Sequence, residues 1–192
     1  MNHRLSSYEI SLRRLIFSAL FASVIFVSTS YLKVPLPIMG YVHLGDGLIF
    51  LSATLLPLPY AICAAAIGAS LADLMAGYTQ YIFATFILKA LTALCFTSRR
   101  GRSVVTRNIL ALIPAIIINA GGYYLFEAIL YKSFVSPLAN IPFNVIQSVC
   151  GAIIFILLGM VIDKTPALHG AFVGIRSSGK TKNKNTEQED KS

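Results

Sequence analysis

The sequence predicts an all-α integral membrane protein of six transmembrane helices with both termini in the cytoplasm. Three observations predict it. First, the 192 residues are 56% hydrophobic and only 12% charged, with a mean hydropathy of +0.71. A soluble domain carries about 25% charged residues, so this chain lacks the polar groups to cover a water-facing surface. Second, its apolar residues fall in long uninterrupted runs, as helices facing lipid require. Third, the Lys and Arg behind its net charge of +8 cluster between those runs. There they orient a chain in the bilayer. With no groove-reading motif beside them, no nucleic-acid partner is expected.

Arg13 and Arg14 precede an apolar run over 15–31 that is longer than a signal peptide's core and has no A-x-A cleavage site, so it reads as a retained first span. Runs over 15–32, 81–97, 109–130 and 143–162 approach or reach the roughly 20 residues a helix needs to cross the hydrocarbon core. The segment 43–78 is too long for one span, and Pro57-Leu58-Pro59 interrupts it. Proline removes a helical donor and restricts the residue before it, which predicts a turn between helices over 47–56 and 59–76. The first of these is only about 15 Å long at 1.5 Å per residue, so it must be tilted, extended or set in a thin region.

Charge counts the crossings. Arg4, Arg13 and Arg14 put the N-terminus inside, and Arg99, Arg100, Arg102 and Arg107 mark a second cytoplasmic connection. An even number of crossings must separate them, which requires both short helices to span. Lys164, Arg176, Lys180, Lys182, Lys184 and Lys191 then fall inside after the sixth span, with Lys33 and Lys132 left outside. The expected organisation is a cytoplasmic segment 1–14, a membrane domain 15–163 and a cytoplasmic, largely disordered basic tail 164–192, strongly polar from Ser177 onward.

Ionisable groups at membrane depth are costly, and a functional role is their default reading. Asp73 lies about one turn below the outer end of the third span and Lys89 about two turns below that of the fourth. They are placed to meet as a buried ion pair, either fixing helix register or lining a cavity open to the outside. Asn119, Tyr123 and Glu127, at i, i+4 and i+8, share one face of the fifth span, and Asn144, Gln147 and Gly151 share one of the sixth. Turned inward, these faces make a polar pocket near the outer surface; singly, each amide also suits a helix-to-helix hydrogen bond.

The first outer loop, 33–46, is rich in Pro, Gly and aromatic residues and suits a site cover. Asp46 at its end also suits the N-cap of the second helix. Tyr31, Tyr41, Tyr78, Tyr81 and Tyr131 fall on the outer side, as an interfacial belt or as ligand contacts. Small residues predict close helix approach, within the chain or with another subunit: Ser18 and Ala22, with Ala19 and Ser23, on the first span, and Ala61, Ala65, Ala69 and Ala64, Gly68, Ala72 on the third.

No catalytic set is visible. There is no Walker A loop, so ATP-driven work would fall to a partner. His3, His43 and His169 are scattered, and Cys63, Cys95 and Cys150 sit in apolar runs without metal spacing. No nucleophile has an evident base. No enzyme activity, metal or cofactor is expected.

Several motifs in order resemble a known family. They are Tyr41-Val42-His43-Leu44-Gly45-Asp46-Gly47, then Gly68-Ala69-Ser70-Leu71-Ala72-Asp73-Leu74 with Gly77-Tyr78, and the Lys89-Ala90 step. Gly122-Tyr123-Tyr124-Leu125-Phe126-Glu127 and Pro142-Phe143-Asn144-Val145-Ile146-Gln147 follow. Together they resemble the substrate-binding S components of energy-coupling factor (ECF) vitamin transporters, of the riboflavin type.

The resemblance implies a bacterial plasma-membrane protein that captures a micronutrient from outside and tilts to release it. It implies partners: a membrane scaffold (T) subunit and two cytoplasmic ATPases. The family meets its scaffold through an alanine-x-x-x-alanine step, which here reads Ser18-x-x-x-Ala22, flanked by Ala19 and Ser23. Combined with the polar faces, it places His43, Asp46, Asp73, Tyr78 and Lys89 at the substrate site. Asn119, Tyr123, Glu127, Asn144 and Gln147 complete the set. A pyrimidine precursor of thiamine, pyridoxine and riboflavin all suit such a site. Two other classes compete: a ligand-free scaffold or assembly protein, and a proton- or ion-coupled carrier using Asp73, Lys89 and Glu127 as a relay.

Overall fold

The computed structural model describes residues 7–35, 41–98 and 101–176. The expectations on His3, Arg4, Pro37, Gly40, Arg99, Arg100 and the tail from Ser177 lie outside the described residues. The chain forms α1 (Ser7–Tyr31), a hairpin of β1 (Lys33–Pro35) and β2 (Tyr41–His43), α2 (Gly45–Leu55) and α3 (Leu58–Met75). Then come α4 (Ile82–Leu94), α5 (Thr106–Leu110), α6 (Leu112–Leu130), α7 (Ile141–Lys164) and α8 (Pro166–Arg176), with 3₁₀ turns at Thr79–Tyr81 and Ser136–Asn140.

Four stretches, Tyr8–Tyr31, Leu58–Met75, Thr106–Leu130 and Ser136–Lys164, are long and apolar enough to cross a membrane. Gly45–Leu55 and Thr79–Leu94 are apolar but shorter. The outside of the bundle is greasy: Phe83 is 80% exposed and Ile129 76%. Water would not tolerate such a surface, and lipid does.

Pro57 and Pro59 act as expected. Leu56 is extended, Pro57 is the N-cap of α3, and Pro59 sits in its first turn, where the missing N–H has no cost. Pro114 explains the break between α5 and α6, since its ring crowds the carbonyl of Leu110 one turn back. The short helix α2 runs through the centre of the bundle: all of it but Leu48 is buried. Its Ser52 and Thr54 hydroxyls bond back to Ile49 O and Leu51 O at 2.8 Å each, which makes their burial tolerable. Phe50 stacks on Phe96 at 5.1 Å, and Phe96 meets Phe155 edge-on at 5.7 Å.

Glycines allow the helices to close on α2. A Cβ on Gly151 of α7 would meet Asp46 Cβ at 2.9 Å and Gly47 N at 3.0 Å, and one on Gly47 would meet Gly151 O at 2.8 Å. On the other side, α1 and α3 pack along their small residues, and a Cβ on Gly68 would meet Ala22 O at 2.6 Å. Ser18 Oγ donates to Tyr60 O at 2.8 Å. Of the expected partner step, Ser18 and the Ala22 carbonyl face α3 within the chain, while Ala19 and Ser23 lie exposed.

Two elements go beyond the sequence reading. Lys33↔His43, Val34↔Val42 and Pro35↔Tyr41 pair as an antiparallel hairpin where a loop was expected; Val and Tyr suit strands, and Pro35 sits at the strand end. The expected tail 164–192 holds α8. Phe172 on that helix packs against Phe17 (5.3 Å) and Phe21 (6.4 Å) of α1, and Arg14 donates to Ile175 O from Nε (3.1 Å) and a terminal nitrogen (3.0 Å).

Candidate substrate-binding site

At the hairpin end of the bundle, β2, the turn before α4 and the ends of α3, α6 and α7 surround a cavity. Its open centre is about 40 Å³, and the free space between its walls, mouth included, is about 420 Å³. Seven expected residues line it: His43, Asp73, Tyr78, Tyr123, Glu127, Asn144 and Gln147. Tyr41, Tyr81 and Thr85 line it as well.

Tyrosines form its aromatic wall. Ring centroids run from Tyr41 to Tyr78 at 5.3 Å, Tyr78 to Tyr81 at 6.0 Å and Tyr81 to Tyr123 at 6.5 Å. Tyr41 OH donates to Asp73 Oδ1 at 2.6 Å. Burial, and then the Asp73 carboxylate, push the Tyr41 phenol well above its ordinary pKa, so it stays a donor. Thr85 Oγ1 and Tyr123 OH are 3.0 Å apart. Glu127 receives Tyr81 OH at 3.2 Å and Asn140 Nδ2 at 2.9 Å, and Tyr81 OH also lies 2.7 Å from Tyr131 OH.

Beneath the cavity lies a sealed ionic network. Lys89 Nζ is 2.6 Å from Asp46 Oδ1 and donates to Asn119 Oδ1 at 3.0 Å, and all three residues are fully buried. Asp46 Oδ2 accepts from Gln147 Nε2 (2.8 Å) and Asn119 Nδ2 (3.4 Å), which also reaches Ser148 Oγ at 3.2 Å. Two expectations are corrected here. Lys89 pairs with Asp46 rather than Asp73, because α2 runs through the bundle centre and brings its first turn to α4. Asp46 is not an N-cap; Leu44 holds that position without a side-chain bond, and the Asp46 carboxylate turns to Lys89.

Gln147 joins the two layers. Its Oε1 accepts from the backbone N of His43 at 3.0 Å while its Nε2 holds Asp46. His43 Nδ1 in turn accepts from Gly45 N at 3.1 Å, which requires an unprotonated nitrogen. Burial lowers the His43 pKa to about 4, against the pull of Asp46 and with the help of Lys89.

The chain matches the family model of the ECF-type riboflavin transporter S component over residues 9–164. It belongs to that family. The solved structure described as "Structure and mechanism of the S component of a bacterial ECF transporter" shares the fold, with TM-score 0.58 and 22% identity over 77% of this chain and 94% of that one. No curated protein matches the sequence. As an S component the protein is a membrane-embedded, substrate-binding subunit rather than an enzyme, in a family that works with T and ATPase subunits.

Three expected residues of this S component, Asp46, Lys89 and Asn119, stand behind the cavity rather than in its lining. Thr85 was missed, although a signal was present: Tyr81, Thr85 and Lys89 fall at i, i+4 and i+8, the spacing that picked out Asn119, Tyr123 and Glu127.

Proposed function

We propose that this S component captures a vitamin or vitamin precursor at the outer face of the bacterial plasma membrane, in the cavity between β2, α3, α4, α6 and α7. The ligand classes are a pyrimidine thiamine precursor, pyridoxine or riboflavin. The observation that carries this reading is the cavity itself, where aromatic rings and convergent carboxylate, amide and hydroxyl groups meet at one end of the bundle. In the proposed topology α1, α2, α3, α4, α5–α6 and α7 are six crossings with both ends in the cytoplasm. The cavity then opens outward, and the chain around Arg102 and Arg107 faces in. A scaffold subunit and two ATPases supply the work, with the exposed Ala19 and Ser23 on α1 as one contact for the scaffold.

The sealed Asp46–Lys89 pair speaks for a structural role under the site rather than for a relay of ions, since neither group reaches the cavity. Mass spectrometry of small molecules that copurify with detergent-extracted protein from vitamin-rich medium tests the reading. A stoichiometric flavin, pyridine or pyrimidine supports it and names the ligand. A protein that is empty and binds nothing in a vitamin panel overturns it in favour of a scaffold. Uptake that collapses with the membrane potential and needs no ATPase would favour the carrier.

A further inference from the structure

The cavity has lopsided chemistry. Asp73 and Glu127 both line it, and among the described residues no Lys or Arg does. Lys89 stands behind Tyr123, 5.4 Å from its ring centroid, with its charge matched by Asp46. Lys33 lies outside the lining, 5.0 Å from the Tyr41 centroid. The connection from Leu36 to Gly40 carries no charged residue.

The two carboxylates differ in how they are satisfied. Both oxygens of Glu127 accept hydrogen bonds from Tyr81 and Asn140. Asp73 is 6% exposed; its Oδ1 takes Tyr41, while Oδ2 is buried with no donor in bonding geometry and with the Thr85 hydroxyl beside it, which also lies 3.0 Å from Tyr123 OH. A buried acceptor left without a donor is unfavourable, and an ionised carboxylate only accepts. A donor on a guest held between the rings of Tyr41, Tyr78 and Tyr123 would complete the set around Asp73.

We infer that the site selects a flat, single-ring nitrogen heterocycle with an amino or protonated ring nitrogen that donates to Asp73 Oδ2, and rejects anionic forms of the same ring. A π-face walled by tyrosines favours a flat and preferably cationic guest. A phosphate or carboxylate would face Asp73 and Glu127 with no counter-charge in the lining, and like-charge juxtaposition costs several kcal/mol. The open centre of the cavity is only about 40 Å³, a narrow space that suits one ring better than three.

The inference rests on the capture reading, and the test separates the two. The ligand-free full chain in detergent is titrated calorimetrically with four probes. These are a 4-amino-5-hydroxymethylpyrimidine, its phosphate ester, the same alcohol with methyl in place of amino, and riboflavin. The aminopyrimidine is expected to bind, with the methyl analogue roughly ten- to a hundredfold weaker and the phosphate ester at least about a hundredfold weaker. In Asp73→Asn the preference for amino over methyl should narrow to about threefold; the native chain's ranking decides the matter even if that variant does not fold. Equal binding of the amino and methyl rings, or equal or tighter binding of the phosphate, overturns the inference. Binding of riboflavin without the aminopyrimidine also overturns it and leaves the capture reading standing, whereas binding of no probe or other vitamin removes both.

Discussion

Replacing Lys89 with Met tests the ionic network under the site. The substitution keeps an unbranched side chain one atom shorter and removes its charge, leaving Asp46 fully buried among α2, α4, α6 and α7 with only Gln147 and Asn119 as donors. Breaking one side of a buried pair costs about 3–5 kcal/mol, whereas removing both charges is often close to neutral. For a chain of this length each kcal/mol moves the melting temperature by roughly 2–4 °C, so Lys89→Met should lose roughly 6–20 °C. The double variant Asp46→Asn/Lys89→Met should recover at least half of that. Size-exclusion chromatography of heated, detergent-solubilised protein reads both. A Lys89→Met protein melting within about 2 °C of the native chain, or a double variant no better than the single, would refute the assignment of Asp46 as the partner.

Three further outcomes are expected. Gly151→Ala should lower stability by about 1–3 kcal/mol, because its Cβ meets backbone and Cβ atoms of α2; Gly121→Ala, with nothing within 4 Å, should melt no lower than the native chain and serves as its control. Acid should destabilise the protein through His43. Its pKa falls from 6.5 to about 4 on folding, so the unfolded chain binds the extra proton between those values. The stability is present above pH 6.5 and is lost as pH falls toward 4, by up to about 3 kcal/mol. Melting curves of His43→Gln between pH 7 and 4 should lack this component, and an unchanged pH profile would contradict it. Glu127→Gln should weaken the copurifying vitamin roughly tenfold, since the amide offers one acceptor to Tyr81 and Asn140 where the carboxylate offered two; equilibrium binding within about threefold, roughly 0.6 kcal/mol, would mean that Glu127 does not serve the ligand.

Much of this protein was legible in one dimension, because its helices are driven by local composition. Apolar runs locate α1, α4, α6 and α7, and the Pro57–Pro59 pair divides α2 from α3 for a reason internal to the backbone. The i, i+4, i+8 spacing of Asn119, Tyr123 and Glu127 also needed only helical periodicity, and Tyr123 and Glu127 do meet at the cavity. Thr85 shows the same signal, but a threonine in an apolar helix attracts less notice than an amide or a carboxylate.

What the sequence could not decide was which of two carboxylates would meet Lys89. Asp46 and Asp73 are both within plausible reach by depth. The choice follows from α2 crossing the bundle centre, which depends on Gly47 and Gly151 letting α2 and α7 close together. The same holds for Ser18, whose small size predicts close contact but not with which helix, and for α8, whose Phe172 finds a place only once α1 supplies Phe17 and Phe21. Periodicity and hydropathy are properties of one helix and can be read from its residues. A partner across the bundle is settled by how several helices share the limited space between them, and that belongs to the tertiary structure alone.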